Sequence, residues 1–320
     1  MADLPLTWEE LRHRSAAEPS GEIPSHLREL APELESPERE RRLVERSTPA
    51  KSELDEPAEL DAYRPPWVAG TYAPQRARLS KPPTVLHHGQ QLEPTIIYAP
   101  DERTIYNDRS YPWGCVCRIT TAAGKAGSGV LIGPRHVLTA SHCVDWNTSA
   151  AEKVEVHLTG TIAAATAFDT VVYAYTHISG DPTVTTLDED YACLVLDQRL
   201  GDVFGWLGTK TYDSGWDGDN VWWSIGYPGD VGGGVQPTFI RNKNMDEDEW
   251  DYGSGRAMTT SADMMKGQSG SPMFGFWDDG VYAVAVMSAY GNVWASGNEN
   301  WCSGGSDLGR IVRQARDENP

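Results

Sequence analysis

Several things are scarce in this 320-residue chain, and each scarcity removes a class of function. No window approaches the ~18 consecutive apolar residues that a membrane-spanning helix needs. The opening stretch MADLPLTWEELRHR has neither a basic n-region nor an apolar h-region, so no secretory leader is expected there. Basic residues are outnumbered, 27 Lys and Arg against 46 Asp and Glu, for a net charge of −19. That is the wrong sign for a phosphate backbone, so no nucleic-acid partner is expected, and the lack of a long apolar run leaves no membrane partner expected either. Cysteines number five, at 115, 117, 143, 193 and 302, too few for a disulfide scaffold and odd in number. Cys115 and Cys117 stand one residue apart, a spacing that shares one face of a strand and does not form a zinc knuckle, so no metal site is expected.

What is present divides in two. Residues 1–94 are rich in Pro, Glu and Arg, with weak helix signals at Thr7 with Glu10 and at Ser36-Pro37 opening ERERRLVERS. The stretch YRPPWVAGTYAPQRARLSKPP reads as an extended linker, because proline fixes φ and removes ladder donors. This extension is expected to be partly disordered or helical, a candidate propeptide. Residues 95–320 change character to short runs enriched in Val, Ile, Tyr and Trp between Gly, Asp, Asn and Pro clusters. WGCVCRIT, GSGVLIG, RHVLTA, KVEVHLT, DTVVYAYT, DYACLVLD, NVWWSIG, SPMFGFW and GVYAVAVMS are the clearest. Many short strands predict an all-β barrel or sandwich. One helix closes the chain, with Leu308, Ile311, Val312 and Ala315 on a single apolar stripe.

Three segments could carry chemistry. A serine hydroxyl needs a positioned base, a group that orients the base, and donors for the developing oxyanion. GQSGSP offers Ser269 as the nucleophile, with the Gly267 and Ser269 amides able to converge on one point if the backbone turns sharply. TASHC follows a strand-like run and places His142 in a small-residue turn, where a ring can be held rigidly as the base. DYACLVL begins with Asp190, able to accept the imidazole Nδ1–H, with Asp188, Glu189 and Asp197 as alternatives. His136, His157 and His177 read as ordinary strand-context histidines, and His13, His26, His87 and His88 belong to the extension.

The order His142, Asp190, Ser269, in TASHC, DYACLVL and GQSGSP, resembles the chymotrypsin-like serine proteases and, more narrowly, their bacterial glutamyl endopeptidase branch. PDERTIYNDRSYPWGCVCRI and SIGYPGD add weaker likeness. The resemblance implies two six-stranded antiparallel β-barrels with the three residues in the cleft between them. It also implies a serine endopeptidase acting on peptide or protein substrates, with no cofactor, as a monomer, and with export as the usual destination. A catalytically idle binding module and an esterase are the competing readings.

The chain also departs from the resembled pattern. Gln268 stands where the animal branch carries an Asp that pairs with a new N-terminal ammonium, so removal of the extension would unblock the cleft and insert no charge. Gly127 stands where the partner of Cys143 is usual, leaving Cys115 or Cys117 as substitutes. Asp263 matches the trypsin-like specificity carboxylate, yet a structural role is the competing reading. Met264 and Met287 stand where glutamate-selective members carry a hydroxyl residue and a histidine, which favours apolar contact over carboxylate binding. Ser288 is expected to support Asp190 and to lend backbone to the substrate.

Overall fold

The computed structural model describes residues 3–28, 43–51, 58–75, 77–79, 86–87, 90–91, 97–98, 100–157, 164–247, 255–291 and 299–320, with the side chains of 26, 28, 86–87, 90–91, 157, 164 and 291 excepted. Seven strands form the first sheet: β1 (Glu45–Ser47), β2 (Val116–Thr120), β3 (Ala126–Gly133), β4 (His136–Thr139), β5 (Lys153–His157), β6 (Ala164–Tyr173) and β7 (Ala192–Leu196). Strands β2–β3–β4–β7–β6–β5 pair antiparallel in a ring, because β5 bonds both β6 and β2. Barrel closure leaves no edge in that ring. Val130, Leu131, Val137, Leu138, Leu194 and Val195 are fully buried within it.

The second sheet holds β8 (Trp222–Gly226), β9 (Thr238–Lys243), β10 (Met245–Glu247), β11 (Gly255–Thr260), β12 (Pro272–Phe276), β13 (Val281–Gly291) and β14 (Glu299–Gly305). Its path runs β10–β11–β14–β13–β12–β8–β9 and continues to Thr104–Ile105 and Arg78–Leu79. The ladders make a half-barrel. It returns on itself only through the chain, since Asn244 alone separates β9 from β10. The expected architecture is therefore met by one closed six-stranded barrel and one half-barrel.

Aromatic residues weld the two. Trp113, just before β2, meets Trp223 and Phe239 at 5.6 Å between ring centroids and reaches Phe274 and Phe276 at 6.3 Å. Each well-angled ring pair adds about 0.5–1.5 kcal/mol beyond burial. The C-terminal helix, Ser306–Glu318, buries its predicted stripe and accepts a contact from His136 Nε2 at the Ala315 carbonyl, 3.1 Å away. Burial lowers the pKa of His136 to about 4, as suits a neutral ring in a structural place.

The described parts of the extension do not form a separate layer. Thr7 and Glu10 make the predicted capping box around a short helix, Trp8–Leu11. Trp8 then packs on Trp223 at 5.8 Å, under the Arg241 guanidinium. Leu6 N–H donates to the Phe276 carbonyl at 2.7 Å, Leu60 and Tyr63 bridge to Thr209 and Trp206, and Ala58 and Leu11 are buried. The helix expected from Ser36-Pro37 lies partly outside the described residues, but its last part is strand. β1 adds to β6 in parallel, Arg46 opposite Val172. Tertiary contact overrides the local propensity here, because Arg46 reaches two fully buried carboxylates, Glu152 at 3.4 Å and Asp169 at 3.6 Å. Among the described residues, no helix is long and apolar enough to cross a membrane.

Candidate active site

Strand register brings the first two residues together. Ala192 of β7 lies opposite Thr139 of β4. The pair is antiparallel, so the chain leaving β4 toward His142 and the chain entering β7 from Asp190 meet at the same end of one ladder. His142 sits in the turn Ser141–Cys143. Its Nδ1 is 2.6 Å from Asp190 Oδ2, and its backbone N–H donates to Oδ1 at 2.9 Å. Ser288 Oγ donates to the same Oδ2. Asp190 is wholly buried, and burial alone would raise its pKa, but the imidazole and these donors outweigh it and hold the carboxyl below its ordinary value. Burial opposes charge on the His142 ring, yet the Asp190 carboxylate prevails and holds the imidazole pKa well above 6.5.

Ser269 comes from the other side of the seam, in the loop before β12. Ser128 of β3 fastens that loop to the first barrel: its N–H donates to the Ser269 carbonyl at 2.8 Å, and its Oγ to the Gly267 carbonyl at 2.7 Å. Gly267 and Gly270 have φ of 98° and 81°. Added Cβ atoms there would lie 2.4 Å from the Tyr227 carbonyl oxygen and 2.2 Å from that of Ser128. Only glycine fits such backbone. The amides of Gln268, Gly270 and Ser271 donate to Met265, Met287 and Gln268 carbonyls. Among the described residues, those of Gly267 and Ser269 have no protein acceptor. His142, Gly267, Ser269 and Ser288 line one cleft of about 630 Å³, together with Lys125, Lys266, Asp181, Tyr227 and Tyr290. None of the described extension residues lines it.

Other expected site residues lie elsewhere. Met264 and Met287 are buried in the core of the half-barrel with Met258, Met273 and Cys302. Met287 Sδ faces Ser224 Oγ at 3.4 Å. The apolar contact to substrate expected from these two methionines is corrected to core packing. Asp263 is also buried, and its carboxylate accepts the Tyr98 N–H at 2.8 Å and the Glu102 N–H at 3.2 Å. Burial raises its pKa, and the carboxylate ties the approach segment to the half-barrel, which is the structural alternative. The Asp188, Glu189 and Asp197 carboxylates do not contact His142; Glu189 is bound by Lys51 and Thr176. His177 stacks on Trp146 at 3.9 Å. The side chains of His26, His87, His88 and His157 lie outside the described residues.

No cysteine substitutes as partner for Cys143. All five thiols are free and buried. Cys143 Sγ points to the Ser269 carbonyl at 3.5 Å, Cys115 to that of Phe204 and Cys117 to that of Cys115. Burial pushes the Cys193 thiol up to about 12. Among the described residues, no group of three or more His, Cys, Asp or Glu could hold a metal ion. Sequence reasoning missed Arg103 and Asp230, whose guanidinium and carboxylate meet behind the Ser269 loop. A lone arginine between carboxylates in PDERT was the available signal.

Residues 127–283 match the trypsin-like peptidase domain family. That match covers just under half of the chain, and the likeness to trypsin-like peptidases holds through that domain. It is 27% identical over 194 residues to the glutamyl endopeptidase of Bacillus licheniformis, over 56% of this chain and 54% of that protein. The match spans about half the length of that curated relative. A solved Glu endopeptidase in complex with MPD shares the fold at a TM-score of 0.53 and 20% identity, covering 69% of this chain and 100% of its own. The protease Anisep from Arthrobacter nicotinovorans superposes at 0.46 with 19% identity, covering 63% and 92%.

Proposed function

We propose that the protein is a serine endopeptidase working through an acyl-enzyme. The observation that carries this reading is the chain of contacts Ser288–Asp190–His142, which opens on the same cleft as Gly267 and Ser269. Ser269 Oγ attacks the scissile carbonyl as His142 takes its proton. Asp190 stabilises the imidazolium and fixes the ring, its pKa direction matching a carboxylate that stays ionised. The Gly267 and Ser269 N–H groups bind the tetrahedral oxyanion, a single donor of this kind contributing roughly 10²–10³ in rate. His142 then returns the proton to the leaving amine, and water repeats the sequence on the ester.

The test is a peptide-library digest beside fluorophosphonate labelling. Ser269→Ala should abolish labelling and lower kcat by about 10⁴–10⁶. A variant that still cleaves within tenfold of the parent would sink the assignment, and labelling without peptide cleavage would favour an esterase.

A further inference from the structure

Arg103 has no exposed surface. Burying a guanidinium costs several kcal/mol unless its donors are met. Here Nε and Nη2 donate to Asp101 at 3.1 and 3.0 Å, while Nη1 and Nη2 donate to Asp230 at 2.9 and 2.6 Å. Nη1 also donates to Gln268 Oε1 at 3.2 Å. That oxygen accepts the Met265 N–H at 2.9 Å as well. Gln268 is buried and lies between the two candidate oxyanion donors.

Asp230 belongs to the opposite wall. It follows the turn in which the Tyr227 carbonyl fills the space beside Gly267, and in which Gly229 N–H donates to the Lys266 carbonyl at 2.8 Å. One planar cation therefore grips both sides of the loop that presents the Gly267 and Ser269 amides, and bidentate geometry fixes orientation as well as distance.

We infer that Arg103 is a positioning residue for the oxyanion-binding loop, so that the chain carries its own buried cation behind the nucleophile and aims both amides into the cleft with the extension in place. No newly cut N-terminal ammonium is required. This rests on the endopeptidase reading for its kinetic consequence, though not for its structural one.

The test uses the full chain with Arg103→Met, Arg103→Lys and Gln268→Met, reading kcat and KM on a peptide and amide exchange over residues 264–271. Arg103→Met should lower kcat about 10²-fold, the scale of one lost donor, with KM within threefold. Exchange should rise in 264–271 and stay unchanged in β4 and β7. Gln268→Met, which leaves the arginine and both carboxylates intact, should reproduce part of the loss and guards against a variant that fails to fold. The double variant should be no worse than Arg103→Met alone, and Arg103→Lys should recover part of the rate. Parent-like kcat with unchanged exchange would overturn the inference, as would exchange rising equally everywhere. If the parent chain cleaves nothing, the endopeptidase reading fails and exchange still decides the role of Arg103.

Discussion

The two halves of the molecule hold their functional groups by different means. In the closed barrel, His142 and Asp190 are placed by ladder register: β4 and β7 are neighbours, and their ends deliver ring and carboxylate to the same spot. In the half-barrel, Ser269 rides a loop whose shape no ladder dictates. That loop depends on two glycines at positive φ, on Ser128 reaching across the seam, and on Arg103 beneath it. The proposed acid–base pair is thus built into a rigid sheet, while the proposed nucleophile is held by individual ties, each open to separate substitution.

Three substitutions sharpen this contrast, beginning with the largest effect. Asp190→Asn should lower kcat by roughly 10⁴, because the ring loses its orienting acceptor. His142 must be neutral to act as base, so activity in the parent should rise with pH, through a midpoint above 6.5 that follows the raised imidazole pKa. The variant removes the group that raises it and leaves burial, which lowers it, so the remaining rise should move to lower pH. A parent profile flat from pH 5 to 9 would break the assignment of His142.

Next, Arg46→Met strips the cation from Asp169 and Glu152 and should cost about 3–5 kcal/mol in chemical denaturation. Burial already raises the Asp169 pKa, Glu152 adds to it, and Arg46 opposes both. A raised folded pKa gives stability that is present below the unfolded carboxylate value near 3.9 and lost as pH rises through the folded value. The variant should therefore be nearest the parent around pH 4 and fall furthest behind at pH 8. A deficit independent of pH would show that the two carboxylates are not the reason.

Smallest is Gly127→Cys. An ideal Cβ at Gly127 lies 2.6 Å from Cys143 Sγ and 3.2 Å from its Cβ, slightly closer than a disulfide's usual Cβ spacing. After a small shift, oxidation should close a short loop and raise stability by about 3 kcal/mol. Loss of stability on oxidation would mean that β3 and the His142 turn cannot yield that shift.

Much of the closed barrel was legible because its strands are apolar and sharply bounded. A bulge obscured one reading. Met287 is packed into the half-barrel core, while Ser288, at a register shift in β13, reaches Asp190, and a local irregularity of that kind leaves no mark in the sequence. TFIRNK of β9 and ENWCSGG of β14 lack the clean apolar alternation by which strands are recognised. β1 reads locally as charged helix, and its strand state follows from carboxylates more than 100 positions away. Arg103 was opaque for the same reason, since Asp230 and Gln268 stand 127 and 165 positions from it.

The extension's route has a mechanical consequence. Residues 3–14 dock on the half-barrel, 43–51 on the closed barrel and 58–63 on the half-barrel again, like a belt that crosses the seam and returns. While the belt is whole, each docked piece keeps its neighbours at high local concentration, on the millimolar scale for short tethers. A single nick between two docked pieces would turn the tethered contact of the severed N-terminal piece into an ordinary encounter between separate molecules, and its hold on the barrels would then weaken with dilution.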